Sequence, residues 1–268
     1  MPSDRADLDQ LERAETLPRS ELVQSLSRGL AIIRAFDRER PSMTLSQVAV
    51  RTQVSRAVAR RFLHTLAADG YVSTDGKYFR LTPKVLDLGY AYLSSLDLWE
   101  LAQPIMQEVV AATGESCSAS VLDGTEIVYV ARVAAGRIMQ VGLSVGSRLP
   151  AFCASMGRVL LAALPPDKLA AFFRAADLAP RTPRTLSTEV ALRRELGRVA
   201  TQGWALVDEE LETGLRSLSV PVRGRGGAVV AALNVSCHAS SETADRTRAR
   251  CLPALQAAAA KLSPGKVG

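Results

Sequence analysis

The sequence predicts an α+β protein in which an N-terminal winged helix-turn-helix is joined by a linker helix to a domain of antiparallel strands with flanking helices. Three features of the chain predict this architecture. A short helix, a turn, an arginine-rich helix and a hairpin follow one another between residues 44 and 81. Pro83 then begins an apolar helical stretch. Groups of strand-like segments finally flank a block of helices between residues 117 and 236.

The first helix of the motif is predicted from its capping residues. Thr44 and Gln47 have the spacing of a capping box, in which the threonine hydroxyl and the glutamine amide satisfy backbone N–H groups at a helix start. The helix is short and ends near residue 52. An earlier helix, which begins with Leu26, Leu30 and Ile33, completes a three-helix bundle.

The second helix of the motif, residues 55–69, has one apolar face and one basic face. Its apolar residues are Ala59, Phe62, Leu63 and Leu66. They have the i, i+3, i+4, i+7 spacing of a stripe that faces a small core. Gly70 is predicted to end the helix in the left-handed conformation, and a hairpin then turns at Asp75 and Gly76.

The outward side of this helix has chemistry that reads a DNA groove. Arginine can hold guanine through two hydrogen bonds, and a small side chain can contact a thymine methyl group. Lys77 and Arg80 are placed on the second strand of the hairpin, where a wing meets phosphate. The candidate DNA-binding residues are Thr44, Ser46, Ser55, Arg56, Ala57, Val58, Arg60, Arg61, Thr65, Lys77 and Arg80. An ordinary helical hairpin with solvated arginines is the alternative interpretation.

Positive charge is concentrated in this part of the chain. Residues 22–84 hold 11 Lys and Arg against 4 Asp and Glu, a net charge of +7, whereas the whole chain has a net charge of +6. The remaining residues therefore total about −1. Because such a concentration is the electrostatic signature of a partner with a phosphate backbone, double-stranded DNA is the predicted partner.

Three motifs resemble the IclR-type bacterial transcriptional regulators in order and spacing. The first comprises residues 25–30, 65–72 and 81–89, the second residues 142–150 and 154–162, and the third residues 214–222. The match extends over residues 22–260 and is most similar to the branch that regulates protocatechuate or 4-hydroxybenzoate degradation through the β-ketoadipate route. The resemblance implies a GAF-like effector-binding domain, a small aromatic acid as effector, and tetramers built as dimers of dimers.

The predicted domain boundaries follow from these segments. Residues 1–20 are interpreted as a flexible tail, 21–82 as the winged helix-turn-helix DNA-binding domain, 83–100 as the linker helix and 101–268 as the effector-binding domain. Strands are expected at residues 117–122, 126–132, 138–143, 204–207, 217–222 and 228–236. Helices are expected at residues 98–113, 155–164, 166–175, 188–202 and 242–262.

The candidate effector site combines a helix start with two strands. Ser155 precedes an apolar helix, whose free N–H groups and positive dipole end suit a carboxylate. The resemblance places the pocket at Ala154, Ser155, Met156, Gly157, Ser217, Asn234 and Ser236. Asn234 and Ser236 are two residues apart and share one face of a strand. Arg132 is a further candidate, since arginine pairs with carboxylates through two hydrogen bonds.

Several of these residues have a structural alternative. Ser155 is equally expected as a plain helix cap, and Arg132 as a surface arginine. Met139 and Phe152 are interpreted as core residues, with an apolar pocket wall as the alternative role. An acidic run is interpreted as a solvated face, and its members are Asp208, Glu209, Glu210 and Glu212.

Enzymatic activity is not expected, and neither is a cofactor or a metal. A hydrolase would have to combine His238 with Cys153, Cys237 or Ser155. The chain has no P-loop, dinucleotide fingerprint or cluster of metal ligands. A GAF-like sensor that acts through protein partners without DNA is the other alternative, and the basic helix argues against it.

The sequence also predicts the setting of the protein. No run of about 18 apolar residues is present and the N-terminus is acidic and polar, so neither a membrane span nor a secretory signal is expected. Four separated cysteines are interpreted as small buried residues in a reducing cytoplasm, and they are Cys117, Cys153, Cys237 and Cys251. A homodimer is the smallest assembly expected, because DNA half-sites match twofold symmetry. A tetramer, contact with RNA polymerase, the operator, and activation or repression are left open.

Overall fold

The computed structural model describes residues 22–37, 39–94, 99–135, 143–224 and 226–263. The chain divides into two compact units, with the division between Tyr92 and Leu93. Within the described ranges, no helix is long and apolar enough to cross a membrane.

The N-terminal unit contains a small helical bundle and a three-stranded antiparallel sheet. Its elements are α1 (Gln24–Arg34), β1 (Met43–Thr44), α2 (Leu45–Arg51), α3 (Arg56–Ala68), β2 (Val72–Thr74), β3 (Tyr78–Leu81) and α4 (Leu86–Ser94). The strand order is β1-β3-β2, so the hairpin of the wing is extended by a short strand that the sequence did not predict. Pro83 begins a single 3-10 turn before α4.

The predicted helix boundaries of the DNA-binding motif are confirmed by their capping contacts. The Thr44 hydroxyl accepts the Gln47 N–H, and the Gln47 side chain accepts the Thr44 N–H at 2.8 Å, which completes the capping box. The Ser55 hydroxyl accepts the Val58 N–H at 3.3 Å and caps α3. Gly70 has a φ of +80°, the left-handed conformation expected after a helix end.

The first helix differs from the prediction in the face that it buries. Leu26 and Leu30 are 62% and 42% exposed, whereas Ile32 is fully buried. The helix completes the three-helix bundle as expected, although Leu26 and Leu30, with which it was predicted to begin, lie mostly outside the core. Only the C-terminal half of α1 reaches the small core, which it shares with residues such as Val48 and Leu63.

The C-terminal unit is built on one antiparallel sheet. Its strands are β4 (Ser116–Asp123), β5 (Glu126–Val133), β6 (Arg148–Pro150), β7 (Ala205–Asp208), β8 (Leu215–Arg223) and β9 (Val229–His238). Its helices are α5 (Trp99–Thr113), α6 (Ser155–Ala162), α7 (Pro166–Ala175), α8 (Glu189–Gln202) and α9 (Ala244–Leu262). The sheet has six strands in the order β6-β5-β4-β9-β8-β7, so the predicted α+β architecture is confirmed.

Helices cover both faces of this sheet. One face packs on α5 and α9 through a core that includes Met106, Leu233 and Leu255. The other face packs on α6, α7 and α8 through a second core that includes Ile127 and Leu161. The region between the sheet and α6 is where the candidate effector residues lie.

Of the strand predicted at residues 138–143, residues 138–142 lie outside the described part of the chain. The edge strand β6 was missed, because three residues that end in Pro150 carry too little alternation to indicate a strand. All four cysteines are buried and free, as the sequence predicted.

Candidate functional site

The exposed side of α3 presents the arginines that the sequence assigned to DNA. Arg56, Arg60 and Arg61 are exposed, and among the described residues none of the three pairs with a carboxylate. The Arg60 Nε contacts His64 Nε2 at 3.4 Å along the same helix. Ala57 and Thr65 are also exposed, whereas Val58 is half-buried. The helix therefore offers unpaired positive charge and small side chains to a groove.

Residues at the helix starts have a structural task as well. The side chains of Thr44 and Ser55 cap α2 and α3, so any contact that they make with DNA has to share the same hydroxyls. Ser46 is half-buried and lines a shallow depression together with Arg40 and Arg51. Arg51 lies at the other end of α2 and pairs with Asp37, so its charge is already partly neutralised.

The wing differs from the prediction at one residue. Lys77 lies in the turn and not on the second strand, because the Asp75 carboxylate accepts the N–H groups of Lys77 and Tyr78 at 3.0 and 2.8 Å. These hydrogen bonds hold the pKa of Asp75 below its usual range. Arg80 is on β3 as predicted, and its Nε donates to the Ser42 hydroxyl at 3.2 Å. Both basic side chains are exposed.

In the C-terminal unit, strand register brings polar residues into two rows on one face of the sheet. Ser236 pairs with Ser116 on one neighbouring strand and with Ser217 on the other. Asn234 pairs in the same way with Ser118 and Ser219. The two rows lie two residues apart along each strand, so their side chains share a face.

A β-bulge extends this polar face to the neighbouring strand β5. Arg132 pairs with Ser118 and Tyr129 pairs with Ser120, which leaves Val130 as the extra residue. Because the bulge shifts the alternation, Tyr129 and Arg132 both line the face although they are three residues apart. The Arg132 Nη1 donates to the Ser118 hydroxyl at 3.0 Å.

Helix α6 begins above these rows without a side-chain cap. Its N-cap residue is Ala154, which makes no capping hydrogen bond, and Ser155 is the first helical residue. The interpretation of Ser155 as a helix cap is therefore wrong, because the helix starts one residue earlier than that role requires. The free N–H groups and the positive dipole end of α6 favour a negatively charged group at this position.

The sheet face and α6 enclose a cavity of about 190 Å³. Its walls are both apolar and polar, and the residues that line it are Ser116, Tyr129, Arg132, Leu143, Leu149, Ala154, Ser155, Met156, Arg181, Leu211, Glu212, Leu215, Ser217, Asn234 and Ser236. The volume is below the range of about 300–1,000 Å³ typical of drug-sized ligands. The cavity therefore fits a small metabolite.

Two polar atoms on the cavity wall have no hydrogen-bond partner within the described chain. They are the Ser155 Oγ and the Asn234 Oδ1, on residues that are only 1% and 3% exposed. The Asn234 Nδ2 donates to the Ser236 hydroxyl at 3.1 Å, which leaves the amide oxygen free to accept. Buried polar atoms are nearly always paired, so these two are available to a ligand with matching groups, although the Ser120 Oγ outside the cavity lining also has no partner among the described residues.

Most of the predicted effector residues meet in this cavity. Arg132, Ala154, Ser155, Met156, Ser217, Asn234 and Ser236 line it. Gly157 does not, because it faces the turn at Ala151–Cys153, where an added Cβ would overlap the Ala151 carbonyl oxygen. Phe152 is a buried core residue, and Met139 lies outside the described residues.

The sequence reading missed other residues of the cavity, among them Ser116, Tyr129 and Arg181. For Ser116 a weak signal existed, because Ser116 and Ser118 are two residues apart on a strand and share a face, as Asn234 and Ser236 do. Tyr129 and Arg181 depend on the bulge and on a loop, which no local pattern reveals.

Two residues of the rival hydrolase interpretation, Cys153 and His238, have other contacts in the structure. The Cys153 thiol contacts the Pro150 carbonyl oxygen at 3.8 Å, and burial raises its pKa to about 11. His238 instead contacts the Ser240 hydroxyl at 2.8 Å. A thiol with so high a pKa is a poor nucleophile at neutral pH.

The acidic run also differs from its interpretation as a solvated face. Glu210 is buried and forms an ion pair with Arg158, while Asp208 pairs with Arg216 at 2.7 Å. Glu212 is the exposed member of the run. The run is mainly structural, because its carboxylates fix arginines and backbone groups of neighbouring segments.

An exposed basic helix on one unit and a small cavity with polar and apolar walls in the other are the features of a DNA-binding regulator with an effector-binding domain. Two family models match the chain, the IclR helix-turn-helix domain over residues 25–76 and the bacterial transcriptional regulator IclR C-terminal domain over residues 90–264. The chain belongs to the IclR family of bacterial transcriptional regulators.

Two curated relatives are similar over most of their length. The Pca regulon regulatory protein of Pseudomonas putida is 45% identical over 243 residues, which cover 90% of this chain and 84% of the relative. The p-hydroxybenzoate hydroxylase transcriptional activator of Acinetobacter baylyi is 37% identical over 226 residues, which cover 82% and 83%. Both lie in the branch that the sequence motifs resemble.

Two solved structures share the fold. A transcriptional regulator from Rhodococcus sp. RHA1 is 47% identical with a TM-score of 0.81, and the match covers 90% of this chain and 97% of that one. The inducer-binding domain of the PobR transcription factor from Acinetobacter, a double mutant in complex with 3-hydroxybenzoic acid, is 30% identical with a TM-score of 0.58. That match covers 61% of this chain and 95% of the domain.

Proposed function

We propose that this IclR-family regulator binds a small hydroxylated aromatic acid in the cavity between the sheet and α6, and that binding changes its occupancy of DNA at genes of aromatic catabolism. The observation that carries the proposal is the pair of unpartnered polar atoms, Ser155 Oγ and Asn234 Oδ1, on the wall of a small cavity. A ligand that supplies their partners removes the cost of leaving them unpaired.

The cavity offers different chemistry to the two ends of such a ligand. The carboxylate is assigned to the start of α6 and to Arg132, which has further guanidinium N–H groups to donate after its bond to Ser118. The ring hydroxyl is assigned to the Asn234 Oδ1, which can only accept. Leu149 and Met156 supply apolar wall for the ring.

Tyr129 adds a neutral hydrogen-bond donor to this environment. Burial raises the pKa of Tyr129 to about 12, so its phenol keeps its proton at neutral pH. A protonated phenol does not repel a carboxylate. The charge that faces the ligand is therefore positive or neutral at Arg132 and Tyr129.

The named relatives support the same chemical class of effector. One of them activates transcription of a p-hydroxybenzoate hydroxylase, and another holds 3-hydroxybenzoic acid in its inducer-binding domain. Both compounds carry a carboxylate and a ring hydroxyl on one benzene ring. The proposal extends that chemistry to this chain.

On the DNA side, the proposed contacts are those of α3 and the wing. Arg56, Arg60 and Arg61 are assigned to the groove, and Lys77 and Arg80 to phosphate. Two copies are proposed to bind together, since one recognition helix reads only a few base pairs. The proposal includes assembly of two dimers into a tetramer and contact with RNA polymerase. It also includes action without catalysis and a cytoplasmic location.

Coupling between the two activities requires a difference in affinity. The effector must bind the DNA-competent and DNA-incompetent arrangements of the protein with different affinities, because a ligand with equal affinity for both shifts nothing. Linkage then requires that DNA change the affinity for the effector by the same factor.

Calorimetry on the full-length protein tests the ligand assignment. The panel is 4-hydroxybenzoate, protocatechuate, benzoate, β-ketoadipate and glyoxylate. We expect the two hydroxylated aromatic acids to bind and benzoate to bind at least about tenfold more weakly, because an unpaired buried acceptor costs about 1–3 kcal/mol. Tighter binding of benzoate, β-ketoadipate or glyoxylate would contradict the proposal.

A pair of variants supplies the control. Asn234→Ala removes the free acceptor and is expected to raise the Kd of 4-hydroxybenzoate about tenfold or more, whereas the Kd of benzoate should not rise, because benzoate has no hydroxyl to donate to the Asn234 amide. Ser219→Ala is the matched control, since Ser219 lies in the same row but donates to the Leu233 carbonyl oxygen and does not line the cavity. The Kd of Ser219→Ala for 4-hydroxybenzoate should equal that of the unaltered protein.

A further inference from the structure

A buried ion pair lies directly behind the cavity wall. Arg158 on α6 is 1% exposed, and Glu210, which follows β7, is 8% exposed. The contact is bidentate, with the Arg158 Nη1 and Nη2 donating to the two Glu210 oxygens at 2.8 and 2.5 Å. The Arg158 Nε also donates to the Phe152 carbonyl oxygen at 3.1 Å, so the guanidinium is fixed on both sides.

Glu210 connects this arginine to a second segment of the chain. Its Oε2 accepts the Leu186 N–H at 3.0 Å, and its backbone carbonyl accepts the Thr185 hydroxyl at 2.6 Å. The Thr182 hydroxyl donates to the Glu209 carbonyl oxygen at 2.7 Å. The connection between β7 and β8 and the segment around residues 182–186 are therefore both anchored to α6.

These anchored segments carry part of the cavity wall. Arg181 directly precedes the segment around residues 182–186, and Leu211 and Glu212 belong to the connection between β7 and β8. Ser155 lies three residues before Arg158 on α6. Arg158 and Glu210 do not line the cavity themselves. Their ion pair instead joins three of the chain segments that do.

The backbone next to Glu210 is held in an uncommon conformation. Glu209 has a φ of +61°, a backbone angle that residues other than glycine and asparagine rarely adopt. Its Oε2 accepts the Gly214 N–H at 2.9 Å across the connection. Such a conformation persists only where the surroundings fix it, so this wall is held in a single shape.

We propose that Arg158 and Glu210 are positioning residues for the effector, which hold the wall formed by Arg181, Leu211 and Glu212 in its binding shape. The inference rests on the proposed function, because it concerns the same cavity. A buried ion pair adds little net stability compared with well-packed apolar residues, whereas its hydrogen-bond geometry is specific. The pair is thus expected to influence affinity more than stability.

A double variant separates these two effects. Arg158→Met with Glu210→Leu replaces the pair by apolar side chains of similar size, which restores much of the stability that either single change loses. Calorimetry with 4-hydroxybenzoate should give a Kd at least about tenfold higher than that of the unaltered full-length protein, equivalent to about 1.4 kcal/mol. The Leu186 amide should also exchange its hydrogen faster, because it loses its acceptor.

Two further variants define the outcome. Arg158→Lys keeps the charge but loses the bidentate geometry, so its Kd should lie between those of the double variant and the unaltered protein. Arg193→Met with Glu189→Leu is the matched control, because this pair is exposed on α8 and joins no wall segments. The control should bind 4-hydroxybenzoate with an unchanged Kd.

The experiment distinguishes failure of this inference from failure of the proposed function. If the unaltered protein binds no hydroxybenzoate, the assigned function of the cavity is wrong, and the inference is overturned with it. If the unaltered protein binds and the folded double variant binds equally well, only the positioning role is overturned. Loss of affinity in the control pair as well would overturn it too, because the effect would then not be specific to the wall.

Discussion

The two units of the chain place their candidate binding residues in opposite environments. In the N-terminal unit, Arg56 and Arg61 are exposed and make no ion pair within the described residues, whereas Ser155 and Asn234 of the C-terminal unit are buried. DNA is a large polyanion that is met at a surface, while a small acid has to be enclosed. The exposed DNA-binding residues of the N-terminal unit can therefore be changed without affecting folding, whereas the buried residues of the cavity contribute to both binding and folding.

Charge follows the same division. Residues 22–84 carry a net charge of +7, and the remainder of the chain totals about −1. An excess of positive charge at the surface acts over a distance and attracts phosphate groups non-specifically. In the cavity, selectivity depends on single groups such as the Asn234 Oδ1, whose effect ends at hydrogen-bond distance.

The largest expected effect is on the folding of the C-terminal unit. Gly157→Ala adds a Cβ that overlaps the Ala151 backbone, so we expect a loss of about 3 kcal/mol in the free energy of unfolding, at the upper end for overpacking. Thermal unfolding of the full-length protein measures it. Gly197→Ala on α8 is the control, because a Cβ there meets nothing within 4 Å and should stabilise the helix by about 1 kcal/mol.

If Gly157→Ala unfolded at the same temperature as the unaltered protein, the contrast between the two units would be wrong. The residues around the cavity would then tolerate substitution as well as the exposed residues of α3 do.

The next effect concerns DNA and leaves folding alone. Arg61→Ala is expected to weaken binding to the preferred site by about 1–3 kcal/mol and to relax sequence preference, since a base contact is lost. Its melting temperature should not change, because Arg61 is exposed. Fluorescence anisotropy with a specific and an unrelated duplex measures the ratio of the two affinities.

Arg174→Ala, an exposed arginine on α7, controls for the loss of one positive charge. An equal loss of affinity for both duplexes in Arg61→Ala would mean that Arg61 contacts phosphate and not a base.

A smaller effect is expected at the wing. Lys77→Ala should weaken binding to all duplexes uniformly and reduce the slope of log K against log salt by about one unit, because one phosphate contact is lost. Anisotropy titrations at several salt concentrations measure the slope, and Lys261→Ala in the C-terminal unit is the control. An unchanged slope for Lys77→Ala would rule out a wing contact with phosphate.

The smallest effect is a dependence on pH. Because hydrogen bonds from Lys77 and Tyr78 lower the pKa of Asp75, the carboxylate contributes stability above its usual pKa of 3.8, and this is lost as the pH falls through the lower folded value. An NMR titration of Asp75 should therefore give a midpoint below 3.8. A midpoint at or above 3.8 would mean that the turn does not hold Lys77 in this way.

The sequence predicted the N-terminal unit better than the cavity, and the reason is physical. Capping at Thr44 and Ser55 and the left-handed Gly70 are local, so a few neighbouring residues determine them. Helix α1 was predicted from Leu26, Leu30 and Ile33, but only its last turns reach the core, which depends on contacts distant in the sequence.

In the C-terminal unit, the helix start at Ser155 indicated one end of the site, and the family resemblance placed Asn234 and Ser236 in it. Tyr129 was missed because a bulge at Val130 changes the face on which it lies, and bulges depend on pairing between strands. Glu210 was misread as solvated because its partner Arg158 is 52 residues away in the sequence. Contacts of that range have no local signature.

The central claim is that one small acid, held in the buried site, controls what the exposed site does on DNA. The most direct test is an anisotropy titration of the full-length protein on a duplex from upstream of its gene, with and without saturating 4-hydroxybenzoate. We predict that the ligand shifts the midpoint at least about fivefold for the unaltered protein, a typical coupling, and much less for Asn234→Ala at the same concentration. An unchanged midpoint with ligand that calorimetry shows to be bound would contradict the account.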